Sequence, residues 1–293
     1  MSRSAPLAIS PAIVRALSRM QSGLNGFIDP QWLRNRSLDD WGLAITLEAA
    51  ELIDSYPWKW WKNVHAQPDF KNVRIELVDI LHFSLSGTRQ MDDEVLRLGA
   101  SAAPHSNIRG GSSSSAPSPA TAVGHQDAPR GPSARPADQA AAASAAPGAE
   151  RHTGGANSAA AGYPRLPLSS TQNAVDTFRH VIDLSRVHRF DRITEIVIAS
   201  ADDLQFNLVA YYVAKHTLNY IRQLGGYKGG QYKKVNAGVE DNELLHQCIH
   251  GITVETATED ATYRATWETV AQQVYECFQV APSERRGVDS WLN

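Results

Sequence analysis

Residues 37–62, SLDDWGLAITLEAAELIDSYPWKWWK, followed by residues 72–90, NVRIELVDILHFSLSGTRQ, decide how this chain is read. Ser37 is placed to cap a helix, Asp39 and Asp40 suit the positive end of its dipole, and Pro57 supplies a stop. A second helix is expected from about Phe70, with Val73, Leu77, Ile80 and Leu81 as its core stripe. Each helix carries two acids three residues apart, Glu48 with Glu51 and Glu76 with Asp79, so the carboxylates of each pair share a face. In the first helix Leu43, Leu47 and Ala50 lie on one side and Leu38, Ile45, Leu52 and Ile53 on others, the pattern of a mostly buried helix. A buried carboxylate without a partner is costly or neutralises itself, so four acids converging there require cations. An all-oxygen set with no Cys or His favours Mg²⁺ over zinc.

The link between these helices packs Trp58, Trp60 and Trp61 beside Lys59 and Lys62. Two of the three indoles are expected to staple the helices together and the third to wall a flat, aromatic ligand. His82 and Phe83 follow one turn after Asp79. Consecutive residues point in different directions, so at most one of them faces the acids directly. MDDEVLRLG reads as a short helical continuation ended by Gly99. Upstream, Ile13, Val14 and Leu17 mark a first helix that packs on the core. QSGLNGFIDPQWLRNRS then reads as a loop broken by Gly23, Gly26 and Pro30, carrying Gln21, Asn25 and Trp32. Side-chain amides offer both a donor and an acceptor and can read the edge of a base.

From 100 to 162 the composition collapses into Ala, Ser, Gly and Pro, which cannot bury enough apolar area to offset its ordering entropy. It is expected as a disordered insert that interrupts a single all-α catalytic domain formed by residues 1–99 and 163–293. TQNAVDTFRHVIDLSRVHRF presents Val175, Phe178 and Ile182 on a helical face. The β-branched ITEIVIAS is also expected as helix, since no partner strand is evident. Asp202 is a candidate cap for the run that Gly225 closes. On that run Tyr212, Lys215, Asn219 and Arg222 form one polar stripe. It leads into the glycine-rich GGYKGGQYKKVNAG, where Lys228, Lys233 and Lys234 supply charge and glycine permits close approach to a polyphosphate. The spacing is that of neither a P-loop nor a dinucleotide fingerprint. Two closing helices follow, the second with Trp267, Val270, Val274 and Phe278 at core spacing. The tail after Pro282 is expected to be polar and mobile. Glu243 and His246 form a single Glu-x-x-His, and a di-iron site needs two.

With 293 residues, a net charge of −3 and 42% hydrophobic content, the chain is neither a polybasic nucleic-acid binder nor a collagen-like or acidic tail protein. Cys248 and Cys277 cannot make a disulfide framework, and both are expected as free thiols suited to a reducing compartment. No apolar run approaches the roughly 20 residues that span a bilayer. A soluble, intracellular protein is expected, with nucleus and cytoplasm left open.

Taken together, Gln21-x-x-Leu24-Asn25, Glu48-x-x-Glu51 with Glu76-x-x-Asp79, the WKWWK link and KHTLNYIRQLGGYKGGQYKK resemble the dimeric, all-α dUTPases, relatives of other all-α NTP pyrophosphatases. The resemblance covers both ordered portions and skips the insert. It implies a globular helical bundle around two antiparallel acidic helices, a homodimer, and Mg²⁺-dependent hydrolysis of dUTP and dUDP to dUMP. Glu48, Glu51, Glu76 and Asp79 would hold Mg²⁺, and a metal-activated water, deprotonated by Glu48 or Glu51, would attack the β-phosphate. Lys215, Asn219 and Arg222, with Lys228 and Lys233, would contact phosphates, and Tyr212 on the same stripe would bind the substrate. Gln21 and Asn25 would address uracil, with Trp61 or Phe83 against base or sugar and His82 nearby. Two other readings stand beside it: an all-α NTP pyrophosphatase of different base preference, and a non-catalytic helical interaction protein whose acids form a solvated face.

Overall fold

Side-chain caps set several of the helix starts in the computed structural model, which describes residues 9–101, 163–236, 238–249 and 262–292. Ten α-helices occur among them: α1 (Pro11–Ile28), α2 (Trp32–Asn35), α3 (Leu38–Asp54), α4 (Phe70–Ser101), α5 (Thr171–Arg186), α6 (Phe190–Asp203), α7 (Leu208–Leu224), α8 (Asp241–Ile249), α9 (Thr262–Cys277) and α10 (Asp289–Leu292). A two-stranded antiparallel ribbon, β1 (Val235–Asn236) with β2 (Val239–Glu240), lies between α7 and α8. Ser37 closes a capping box on α3, accepting from the Asp40 amide at 3.2 Å while the Asp40 carboxylate accepts from the Ser37 amide at 2.8 Å. α7 is capped by Asn207 rather than Asp202, which lies in the last turn of α6.

Contacts between α3 and α4 run in opposite chain directions: Ser55 meets Asn72, Glu48 meets Glu76 and Trp41 meets Phe83. The two acidic helices are therefore antiparallel. α5 covers a second side of α3, and a Cβ on Gly42 would come within 2.7 Å of the Ser185 carbonyl, so only glycine permits that approach. Ile45, Ala49 and Leu52 fill the resulting core. Leu43 and Leu47, expected inside, are 61% and 55% exposed, and Ala50 is exposed with them. α4 and α5 occupy the other sides, which leaves this one outward.

α6 is helical as its setting predicts, with Ile193, Ile196 and Val197 buried. Four other expectations fail. The stretch from Gln21 is not a loop, because α1 continues through Gly23 and Gly26 to Ile28; a Cβ on Gly23 would lie 3.2 Å from Trp291, so this glycine admits α10 rather than breaking the helix. The tail after Pro282 is packed, with Val288, Trp291 and Leu292 buried and α10 against α1. α4 runs through Gly99 to Ser101. Cys248 and Cys277 are disulfide-bonded across the α8–α9 contact, with Cα atoms 6.2 Å apart, so the thiols no longer argue for a reducing compartment. The proposed insert falls, apart from residues 100 and 101, outside the described residues. No helix among the described residues is long and apolar enough to cross a membrane.

Candidate active site

Antiparallel packing of α3 on α4 brings carboxylate oxygens of Glu48, Glu76 and Asp79 within 4.8 Å of one another. Glu51, one turn further along α3, lines the same cavity but stands outside that cluster. Burial, a hydrogen bond with Glu48 and the charge of Asp79 push the Glu76 carboxyl up to about 9. Burial and then Asp79 raise Glu48 as well. Like charges at this range cannot all ionise without a counter-charge, so the cluster holds a proton or a cation. The donor set is compact, all-oxygen and short of positive charge, which fits Mg²⁺.

Lys215 supplies the protein's own counter-charge. Its Nζ lies 2.9 Å from Asp79 Oδ2 and donates to Asn242 Oδ1 at 2.8 Å. One and a half to two turns along α7, Arg222 grips Asp241 through Nε at 2.9 Å and a terminal nitrogen at 2.8 Å, and reaches Asn219 Oδ1 at 3.2 Å. Lys215 is 2% and Arg222 8% exposed, so this stripe is a desolvated cation pair and not a solvated helix face. In the glycine-rich loop, Gly226 and Gly230 take left-handed backbone angles, φ 78° and 76°, and the chain turns so that Lys234 lines the cavity. Lys228 instead donates to the Ile28 carbonyl at 3.3 Å, and Lys233 lines a different cavity. Neither of these two predicted lysines is brought to the acids.

At the opposite end, Gln21 and Asn25 sit one turn apart on α1, both buried. Gln21 Nε2 donates to Asn25 Oδ1 at 2.9 Å, and Asn25 Nδ2 donates to Ser86 Oγ at 2.9 Å. Tyr212 does not line the cavity; its hydroxyl lies 3.1 Å from both Gln21 Oε1 and the Leu17 carbonyl, bracing Gln21 from behind. His82 Nδ1 is 2.8 Å from the Val78 carbonyl, which can only accept, so Nδ1 carries the hydrogen and Nε2 is left as an acceptor. That Nε2 is buried with no partner among the described residues, and burial pushes the ring down to about 4. The neutral imidazole stacks on Tyr212, centroids 4.2 Å apart.

The aromatic wall is Trp32, Trp41 and Phe83, with Trp41 oriented by a 2.6 Å bond from Nε1 to Gln90 Oε1. Trp61 is not part of it. Beyond Pro57 the link turns outward, leaving Trp60 81% and Trp61 56% exposed and packed edge-on with each other; neither staples the helices, and only Trp58 is half-buried. Trp41 lies seven residues before Glu48, as Phe83 lies seven after Glu76, so the same-face spacing that linked the acids could have identified it. Asp241 and Asn242 carried no comparable signal, because their roles depend on α8 meeting α7.

These groups surround one cavity of about 430 Å³, with Glu48, Glu51, Glu76 and Asp79 on one side, Lys215, Asn219, Arg222, Lys234 and Asn242 on another, and Gln21, Asn25, His82 and Phe83 at the end. A helical bundle that sets an acidic helix pair against buried cations, with amides beyond, defines an all-α phosphoanhydride hydrolase. The dUTPase family model matches residues 13–227, and the chain belongs to the dUTPase family. It is accordingly a dUTP diphosphatase. No curated protein matches the chain.

Proposed function

We propose that the chain hydrolyses dUTP, and also dUDP, to dUMP in a Mg²⁺-dependent reaction in which water attacks the β-phosphate. The observation that carries this reading is the carboxylate cluster facing Lys215 and Arg222 across one cavity. Glu48, Glu51, Glu76 and Asp79 would hold Mg²⁺, which when bound would neutralise the cluster, screen the phosphates and acidify water. Glu48 or Glu51 takes the proton from the attacking water, Glu48 from within the carboxylate cluster and Glu51 from the wall of the same cavity. Lys215, Asn219 and Arg222, with Lys234 from the loop, bind phosphate oxygens. Positioning and charge neutralisation dominate such chemistry, and preformed donors suit it.

Gln21 and Asn25 address the uracil edge, with Phe83, Trp41 and Trp32 enclosing base and sugar. The bare Nε2 of His82 accepts from a hydroxyl or N–H of the nucleoside. A pocket that hydrogen-bonds its ligand rejects cytosine by leaving polar groups mispaired and rejects thymine sterically. We also propose that residues 1–99 and 163–293 make one catalytic domain and that two chains associate. The exposed Leu43, Leu47 and Ala50 on α3 support association, since such an apolar strip invites a partner. Profiling turnover of dUTP, dUDP, dCTP, dTTP and UTP with Mg²⁺ tests the reading. Hydrolysis confined to dUTP and dUDP is expected; equal turnover of dCTP or dTTP removes the uracil assignment, and absence of any Mg²⁺-dependent hydrolysis removes the enzyme.

A further inference from the structure

We infer that Asp241, which lies beyond the span matched by the family model, is the positioning residue of the phosphate side, aiming Arg222 and anchoring Lys234 together. Its carboxylate accepts from two nitrogens of Arg222 at 2.9 and 2.8 Å, a bidentate pairing that fixes the guanidinium plane as well as its place. The Tyr232 hydroxyl donates to the same carboxylate. Its backbone amide donates to the Lys234 carbonyl at 2.7 Å. One residue at the start of α8 thus ties the cation on α7 to the lysine in the glycine-rich loop, and both cations line the cavity that Asp241 itself does not.

Burial gives the pairing its force. Asp241 is 4% and Arg222 8% exposed, and a guanidinium cannot shed its proton to escape desolvation. With Asp241 neutralised, Arg222 would turn toward solvent or toward the acidic helices, and its fixed aim at the phosphates would be lost. Asn219 and Asn242 are neutral acceptors and hold it only partially.

This inference rests on the phosphate role proposed for Arg222, and the experiment separates the two. Wild type, Asp241→Asn, Arg222→Ala and the double variant are compared by kcat and KM for dUTP at saturating Mg²⁺, with thermal midpoints recorded alongside. Asp241→Asn is expected to lower kcat/KM on the order of 30-fold, chiefly through KM, as removing one partner of a buried charge pair does. In the Arg222→Ala background the same change should cost less than about threefold, because there is no guanidinium left to aim. An equal loss in both backgrounds overturns the inference while leaving the dUTPase reading intact. Wild-type kinetics from Arg222→Ala alone overturn the phosphate role and the inference with it. Asp241→Glu, which keeps the charge but displaces its geometry, replaces Asp241→Asn in the same cycle if that variant does not fold, with the same two outcomes deciding.

Discussion

Replacing Glu76 by Gln separates what the carboxylate cluster costs the fold from what it does for the reaction. Glu76 is 5% exposed, and burial, with the hydrogen bond to Glu48 and the charge of Asp79, pushes its carboxyl from 4.5 up to about 9. Between those values the native state keeps a proton that the unfolded chain has lost, so stability falls as pH rises. At 1.36 kcal/mol per pH unit, this group lowers wild-type stability by about 3 kcal/mol at pH 7 and by about 2 to 3 kcal/mol more by pH 9. His82 and His216 act in the opposite sense: burial holds them down at about 4 and about 3, so their effect is complete once the unfolded histidines deprotonate near 6.5. The window from pH 7 to 9 therefore isolates the carboxylates. Urea unfolding of the metal-free wild type should show stability falling across that window, and the fall should be shallower in Glu76→Gln, because the amide does not titrate while Glu48 remains raised by burial and Asp79. Mg²⁺ at a hundred times its dissociation constant should add about 2.7 kcal/mol to the wild type and far less to the variant. Turnover of the folded variant should be abolished. Wild-type activity in Glu76→Gln, a metal-free wild type that gains stability from pH 7 to 9, or equal stabilisation of both proteins by Mg²⁺ would each refute the reasoning.

Tyr212→Phe removes the hydroxyl that braces Gln21, and steady-state kinetics should show kcat/KM for dUTP reduced by roughly 5- to 10-fold, the worth of about 1 kcal/mol of lost hydrogen bonding. Cys248→Ser opens a bridge across a separation of 29 residues and should lower urea stability by about 3.5 kcal/mol on the loop-entropy model, a loss that dithiothreitol reproduces in the wild type and not in the variant. Excising residues 103–162 behind a short Gly/Ser linker should leave turnover within about threefold, since a span so rich in Ala, Ser, Gly and Pro can bury little apolar area; complete inactivation of a folded product would contradict the single-domain reading.

Sequence alone determined the features that depend on helix geometry within one element. The three-residue spacings of Glu48 with Glu51 and of Glu76 with Asp79, the cap at Ser37 and the stripe from Lys215 to Arg222 follow from 3.6 residues per turn, and the helices formed as their patterns required. Tertiary structure decided which face of each helix turns inward. α3 is apolar nearly all round, and periodicity could not say that Leu43 and Leu47 face out; only the arrival of α4 and α5 chose Ile45, Ala49 and Leu52 instead. Gly23 looks like a helix breaker until α10 is seen to need its missing side chain. The same limit governed the site. Three adjacent tryptophans drew attention to the link, yet the wall is Trp32 and Trp41, and among three loop lysines only Lys234 reaches the cavity. Asp241 and Asn242 serve Arg222 and Lys215 only because α8 packs on α7, about twenty residues away along the chain. Local spacing is written in neighbouring residues, whereas the partner that buries a face comes from distant ones, and that pairing exists only in the folded chain.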